Sequence, residues 1–345
     1  MIYNSGVPVF IKNVRSATMM IPLLLLALMT LVNGCVIKSP NPFDKYNQPL
    51  KETTLYGDAP GKILVVSVKG VISDTGKENF LSEQPSLVEE VVSQLRLAAQ
   101  DQNIKAVVLK VDSPGGSTTA SDILYNELLL FKKRTGKKLV VMMMDMATSG
   151  GYYISLPADC IIAHPTTLTG SIGVIFMRPL APELMKKIGV SMDIAKSGEL
   201  KDMGSPFRIP TDEEKAIFQK VTSDLGDRFI SLVKKHRKLT PEQVKAARSA
   251  RIFLGDEAVA AGLIDKIGYV DEALEKARSL ANLSPRAKVI VYRRNPGVND
   301  TLYSSSTTRY PDGRISLVNV DLLNEFQHLG TGFFYLWAPG ADHRY

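Results

Sequence analysis

Apolar residues recur along this chain in two rhythms. Short β-branched runs bounded by turn residues predict buried strands: Lys62–Val68 between Gly61 and Gly70, then Ala106–Val111, Leu139–Met144 and Cys160–Ala163. Between them the spacing is helical. Over Ser86–Gln100 the apolar positions are 87, 88, 91, 92, 95 and 98, which share one helix face. Thr118–Lys133 predicts a second helix that ends near Gly136, and a short third one runs through Leu156. Strands alternating with helices at this pace predict βαβ units around a largely parallel sheet.

After Ile175 the rhythm changes. Thr211–Lys235 predicts a long helix with Ile217, Val221, Leu225 and Phe229 on one stripe. Thr240-Pro241-Glu242 opens another, with threonine as cap and proline at the first helical position. Gly255–Ala261 and Asp271–Leu280 predict two shorter ones, and Lys288–Tyr292 a strand. The domain plan is therefore a leader over 1–35, a flexible tether over 36–60, a folded body over 61–283, and a tail over 284–345 whose pattern predicts little.

The leader reads as an address. Lys12 and Arg15 precede an apolar stretch from Met19 to Val32, which suits a secretory signal and is short for a spanning helix. It ends at Gly34-Cys35, the arrangement in which a bacterial lipoprotein is cut and acylated on cysteine. A retained signal anchor is the alternative, and either reading puts the body outside the cytoplasm. The net charge of +7 is spread along the chain without a basic block interleaved with aromatics, so nucleic acid is not an expected partner. Two cysteines, Cys35 and Cys160, and four scattered histidines give no metal-ligand spacing, and no cofactor is expected.

Two glycine-rich turns carry the candidate chemistry. Asp112-Ser-Pro-Gly-Gly-Ser117 follows a strand and opens a helix, where backbone N–H groups can stabilise an anion. The lysine of a phosphate-binding loop is missing from it. Asp145-Met-Ala-Thr-Ser149-Gly-Gly-Tyr-Tyr153 repeats the design with a serine at the helix mouth. Ser149 is either a nucleophile, with the Gly150 amide aimed at a forming oxyanion, or a plain helix cap. A nucleophilic serine needs a base. His164 is near in sequence but sits at a strand end before Pro165. Lys201, in a loop rich in turn residues, is the other candidate, provided it is neutral when it acts.

Together these stretches resemble the signal peptide peptidase A family, serine–lysine peptidases of the Clp-protease/crotonase superfamily. The resemblance rests on residues 111–116, 146–153, 168–174 and 196–206, in the family's order, and covers roughly 60–280. It implies an α/β Clp-protease/crotonase-like parallel sheet with repeated βαβ units and a helical C-terminal extension. It also implies Ser149 as nucleophile, Lys201 as general base, Gly116 and Gly150 as oxyanion-hole amides, and Ser171 as a hydrogen-bond partner of Lys201. The implied substrates are apolar peptides, remnant signal peptides above all. With one catalytic unit, the chain resembles the short form, a homo-oligomeric ring (an octamer is one expectation) whose sites are completed by neighbouring protomers. Cys35 would tie that ring to membrane lipid. Two other readings compete: an acyl-CoA enzyme of the same superfamily, disfavoured by export, and a membrane-attached scaffold that has lost activity.

Overall fold

The computed structural model describes residues 48–79, 82–294, 300–304 and 331–339. The leader and Cys35 lie outside these. Among the described residues no helix is long and apolar enough to cross a membrane.

In chain order the first half runs β1 (Lys51–Tyr56), β2 (Ala59–Lys69), β3 (Lys77–Asn79), β4 (Ser82–Gln84), α1 (Leu87–Gln100), β5 (Ile104–Ser113), β6 (Gly115–Ser117), α2 (Thr118–Thr135), β7 (Lys138–Thr148), α3 (Gly150–Ser155), β8 (Cys160–Ala163), β9 (Leu168–Gly170) and β10 (Ile175–Met177). The second half runs α4 (Pro182–Lys187), α5 (Asp212–His236), α6 (Pro241–Arg248), β11 (Ile252–Phe253), α7 (Gly255–Ala260), β12 (Lys266–Ile267), α8 (Val270–Leu280), β13 (Ala287–Arg293) and β14 (Gly332–Leu336).

The main sheet has the order β1-β13-β2-β5-β7-β8-β12, with β9 paired to the end of β7 and β11 paired to β9. From β13 to β12 the path is parallel, and β1 closes the β13 edge antiparallel. Register runs straight across the centre, Val65 opposite Val108, Val108 opposite Val140, and Val140 opposite Cys160. These residues, with Ile63 and Met142, pack under Val270, Ala273, Leu274 and Ala277 of α8. The alternate residues Leu64, Val66, Val107, Leu109 and Val141 face Val91 and Leu95 of α1 and Leu124 and Leu128 of α2. Both faces are covered, which is why the strands read as unbroken apolar runs rather than alternating ones. Ser86 caps α1 by accepting from the Glu89 amide at 3.1 Å, and Gly136 ends α2 in the left-handed region at φ 67°.

Two boundaries differ from the expectation. Lys51–Tyr56, assigned to the tether, is a strand in which Thr53 pairs with Val291. Its polar side chains suit an edge, and its backbone covers the open side of β13. The tail is also part of the fold: the strand expected at Lys288–Tyr292 is present as β13, and β14 is an addition to it. β13 inserts between β1 and β2, and β14 joins β6 and β10 in a second, three-stranded sheet. The folded body therefore extends past both 61 and 283.

The parallel strands β5 and β7 end side by side, with Ser113 opposite Ala147. Both glycine-rich turns emerge at these carboxyl ends, the edge where open α/β sheets hold ligands.

Candidate active site

Ser149 is the one residue between β7 and α3. Its backbone has φ 51° and ψ −112°, a conformation that costs a non-glycine residue about 1–3 kcal/mol. Two bonds hold it there: its N–H donates to the Gly170 carbonyl at 2.8 Å, and its carbonyl accepts from the Tyr153 amide at 2.9 Å. The side chain makes no capping bond. Among the described residues the hydroxyl reaches only the Gly173 carbonyl, at 3.5 Å, and the residue is buried. Of the two readings open in the sequence, the helix cap fails on this geometry.

The other glycine turn folds back against it. Ser113 Oγ donates to the Gly70 carbonyl at 2.6 Å and accepts from the Gly115 amide at 3.1 Å. Ile72 then bridges the turn, its amide donating to Gly115 and its carbonyl accepting from Ser117. A Cβ on Gly116 would sit 1.9 Å from the Ile72 carbonyl oxygen, so no other residue fits. A Cβ on Gly150 would lie 3.0 Å from the Gly115 Cα, so the two turns are in direct contact. Gly116 and Gly150, the expected amide donors, thus belong to segments that meet beside Ser149. Ser171 follows Gly170 at φ 50°, is buried, and donates its amide to the Arg251 carbonyl at 2.8 Å.

Beneath the turn, α3 is anchored by its tyrosines. The Tyr152 hydroxyl donates to the Leu263 carbonyl at 2.9 Å. That of Tyr153 donates to Asp122 at 2.6 Å, and Arg228 of α5 holds the same carboxylate at 2.7 Å. Burial, then the Asp122 bond, raise the Tyr153 pKa, so the phenol stays a neutral donor.

Lys201 lies elsewhere. Residues 180–209 form an arm whose side chains are mostly exposed, including Leu184, Ile188, Val190, Met192 and Ile209. Its loop is tied by Asp202, which takes Arg208 and Lys196 at 2.8 Å each, while Arg208 also pairs with buried Glu214 of α5. Arg208 first, then Lys196, hold the Asp202 carboxyl well below the usual carboxylate range. Lys201 itself is exposed; its amide donates to Gly198 at 3.1 Å. Among the described residues its ammonium has no hydrogen-bond or ion-pair partner. Ser149, Gly116, Gly150 and the Ser171 loop are therefore brought together, and Lys201 is not joined to them within one chain. His164 packs edge-on against Tyr269 at 5.0 Å, and no hydrogen bond joins it to Ser149.

The profile of Peptidase family S49 matches residues 131–284, and that of Clp protease matches 81–163. A relative from Enterococcus faecium, described as a candidate signal peptide peptidase SppA, is 38% identical over 255 residues, covering 74% of this chain and 72% of its own. The chain belongs to Peptidase family S49. Protease 4 of Haemophilus influenzae is 39% identical over 242 residues, 70% of this chain but 38% of that longer one. A ClpP1 variant from Listeria monocytogenes superposes with a TM-score of 0.39 at 18% identity, over 61% of this chain and 94% of its own.

As an S49 member the chain is a serine peptidase, and the strained serine turn is where such chemistry fits the fold. One neighbour of the candidate site has no counterpart in the sequence expectations: β14, which pairs with Gly115–Ser117. The run Phe333-Phe-Tyr-Leu-Trp337, dense in aromatics within a polar tail, was the available signal.

Proposed function

We propose that this S49 peptidase cleaves apolar peptides, remnant signal peptides among them, outside the cytoplasm at a bacterial membrane, with Ser149 as nucleophile and Lys201 as general base. The observation that carries the reading is the buried Ser149 at φ 51°, followed by Gly150, which packs against Gly115 of the other glycine turn. Neutral Lys201 takes the Ser149 proton and the oxygen attacks the peptide carbonyl. The amides of Gly116 and Gly150 receive the oxyanion, and the lysine returns the proton to the leaving amine. The acyl-enzyme is then hydrolysed by a water that Lys201 activates in the same way, while Ser171 orients the amine.

In this reading Lys201 serves the Ser149 of a neighbouring copy. Its exposure on an arm rich in bare apolar residues supports that, because such patches mark interaction surfaces. A ring results if each copy gives its arm to the next. The membrane tie is Cys35, acylated after removal of residues 1–34; mass spectrometry of the membrane-extracted protein tests it, and an intact N-terminus with a free Cys35 thiol sinks it. The catalytic assignment is tested by labelling with a fluorophosphonate. Labelling of the wild type and not of Ser149→Ala is expected; equal labelling of both removes Ser149 from the mechanism.

A further inference from the structure

The loop that carries Lys201 is built from short-range turns. The amide of Met203 donates to the Leu200 carbonyl and that of Ser205 to the Asp202 carbonyl, both at 3.0 Å. Such turns shape the loop but do not fix where it stands. Among the described residues, the side-chain hydrogen bonds that link the 196–208 segment to α5 are all made by Arg208. Its guanidinium grips Asp202 twice, Nε to Oδ2 at 2.8 Å and Nη2 to Oδ1 at 2.9 Å. Nη1 also donates to Glu214 Oε2 at 3.0 Å, and Nη2 to Glu214 Oε1. Glu214 is buried in the first turn of α5, and its carboxylate accepts from the Thr211 amide at 3.0 Å. A planar fork of donors suits a grip on two carboxylates at once, which a point charge does not give.

The same knot decides what charge Lys201 meets. Asp202 is its neighbour in the chain, and a carboxylate free at that place would hold the Lys201 ammonium together with its proton. Asp202 is already taken. Lys196 Nζ donates to its Oδ1 at 2.8 Å, and Arg208 grips both oxygens. Two cations, Lys196 and Arg208, thus balance two anions, Asp202 and Glu214. Both carboxyls are held below the usual carboxylate range, by Arg208 first. The other charges near Lys201 are Glu199 and Glu213, which line the same cleft, and the Asp212–Lys215 pair at the start of α5. Glu199 and Glu213 are exposed, where water and salt screen them.

We infer that Arg208 is a positioning residue for the base: it pins the Lys201 loop to the start of α5 and keeps Asp202 from pairing with Lys201. This rests on the Lys201 reading above and adds to it the residue through which that loop is set. Removing Arg208 leaves a negative excess beside Lys201, and removing the Asp202 charge leaves a positive one. A base that acts when neutral answers these in opposite senses. It gives up its proton at higher pH in the first case and at lower pH in the second. A knot that only stabilised the fold would lower activity in both variants without moving its pH dependence.

The test measures kcat and KM of the full chain on a fluorogenic apolar peptide as a function of pH. In Arg208→Met the pH of half-maximal kcat should rise by about half a unit to one unit, and in Asp202→Asn it should fall by as much. In both, kcat at its plateau should drop by roughly tenfold to hundredfold because the amine is misplaced, with KM near the wild-type value. Arg208→Met strands the buried Glu214 carboxylate and so puts the fold at risk. Arg208→Lys, which keeps a cation there, is therefore assayed beside it. It retains the charge and loses the fork, so kcat should fall while the pH profile stays in place. Shifts of the same sign, an unmoved profile in Asp202→Asn, or full kcat in Arg208→Lys overturns the inference, while an inactive Lys201→Ala chain leaves the dyad standing. A Lys201→Ala chain as active as the wild type overturns the Lys201 reading and this inference with it.

Discussion

The backbone N–H of Ser149 donates to the carbonyl of Gly170 at 2.8 Å, and this bond joins the Ser149 turn to the Gly170-Ser171 turn. Residues 149 and 171 both have positive φ, 51° and 50°. The tips of β7 and β9 are thereby locked together, and the hydroxyl of Ser149 is presented without a structural task of its own. The strain is paid by the backbone, which separates catalysis from stability in a way that substitution can read.

Ser149→Ala should therefore be folded and inactive on casein or a signal-like peptide. Ser149→Gly should be inactive too, and at least as stable as the alanine variant. Glycine relieves about 1–3 kcal/mol of strain and loses roughly 0.5–1 kcal/mol to unfolded-chain entropy. Urea denaturation gives the comparison. A folded Ser149→Ala chain that cleaves at the normal rate would falsify the assignment.

Gly116→Ala should be far more damaging than its size implies. The new methyl would meet the carbonyl of Ile72, and backbone on both sides leaves nothing flexible to yield. The turn must move, and its amide leaves the proposed oxyanion position. Activity should drop by about 10²–10³, the loss typical of one oxyanion donor. Gly136→Ala is the matched control, since a Cβ there meets nothing within 4 Å. It loses only the ease of φ 67°, on the order of 1 kcal/mol, and should keep its kcat. Comparable kcat losses in the two variants would show that glycine replacement in general, and not the Ile72 contact, does the harm.

The parallel core was legible because burial on both faces writes itself as continuous runs such as Ile63–Val66 and Ala106–Leu109. The Ser149 turn was legible because a strand, a small-residue turn and a helix follow one another within a few residues. β14 was not, since nothing local makes Gly332–Leu336 a strand: its partners at 115–117 and 175–177 are remote, and strand pairing depends on context. β1 escaped for the same reason. The place of Lys201 was hidden differently, because its loop gains order from Asp202, Arg208 and Glu214 and not from any periodic pattern.

Lys110 gives a pH test independent of catalysis. It points out of β5 and is buried, with its ammonium donating to the Leu302 carbonyl. Burial, and then nearby Arg293, push its pKa down to about 8, against the opposing pull of Asp112. The unfolded chain keeps the ordinary lysine value near 10.4 and so binds more protons than the folded one between these limits. Through Lys110, stability then rises as pH climbs from about 8 toward 10, and the penalty is fully present below that window. Lys110→Met should be stabilising relative to wild type at pH 7, and the gap should shrink at pH near 9.5. Urea midpoints at the two pH values decide it; a gap that does not change with pH removes Lys110 as the source.

The shared-site arrangement makes the sharpest prediction. Ser149→Ala and Lys201→Ala should each be inactive alone, because each lacks one half of every site. Suppose Lys201 reaches the Ser149 of the next copy. A ring built from both variants then contains intact sites wherever the Ser149 of a Lys201→Ala subunit meets the Lys201 of a Ser149→Ala neighbour. Random mixing in a head-to-tail ring yields about one quarter of the wild-type sites. Co-expression with two affinity tags, followed by purification through both, isolates mixed assemblies for assay. Recovered activity near that fraction is expected. Mixed assemblies that stay silent would mean that the arm folds back to complete the site of its own chain, and its exposed apolar residues would then need another partner.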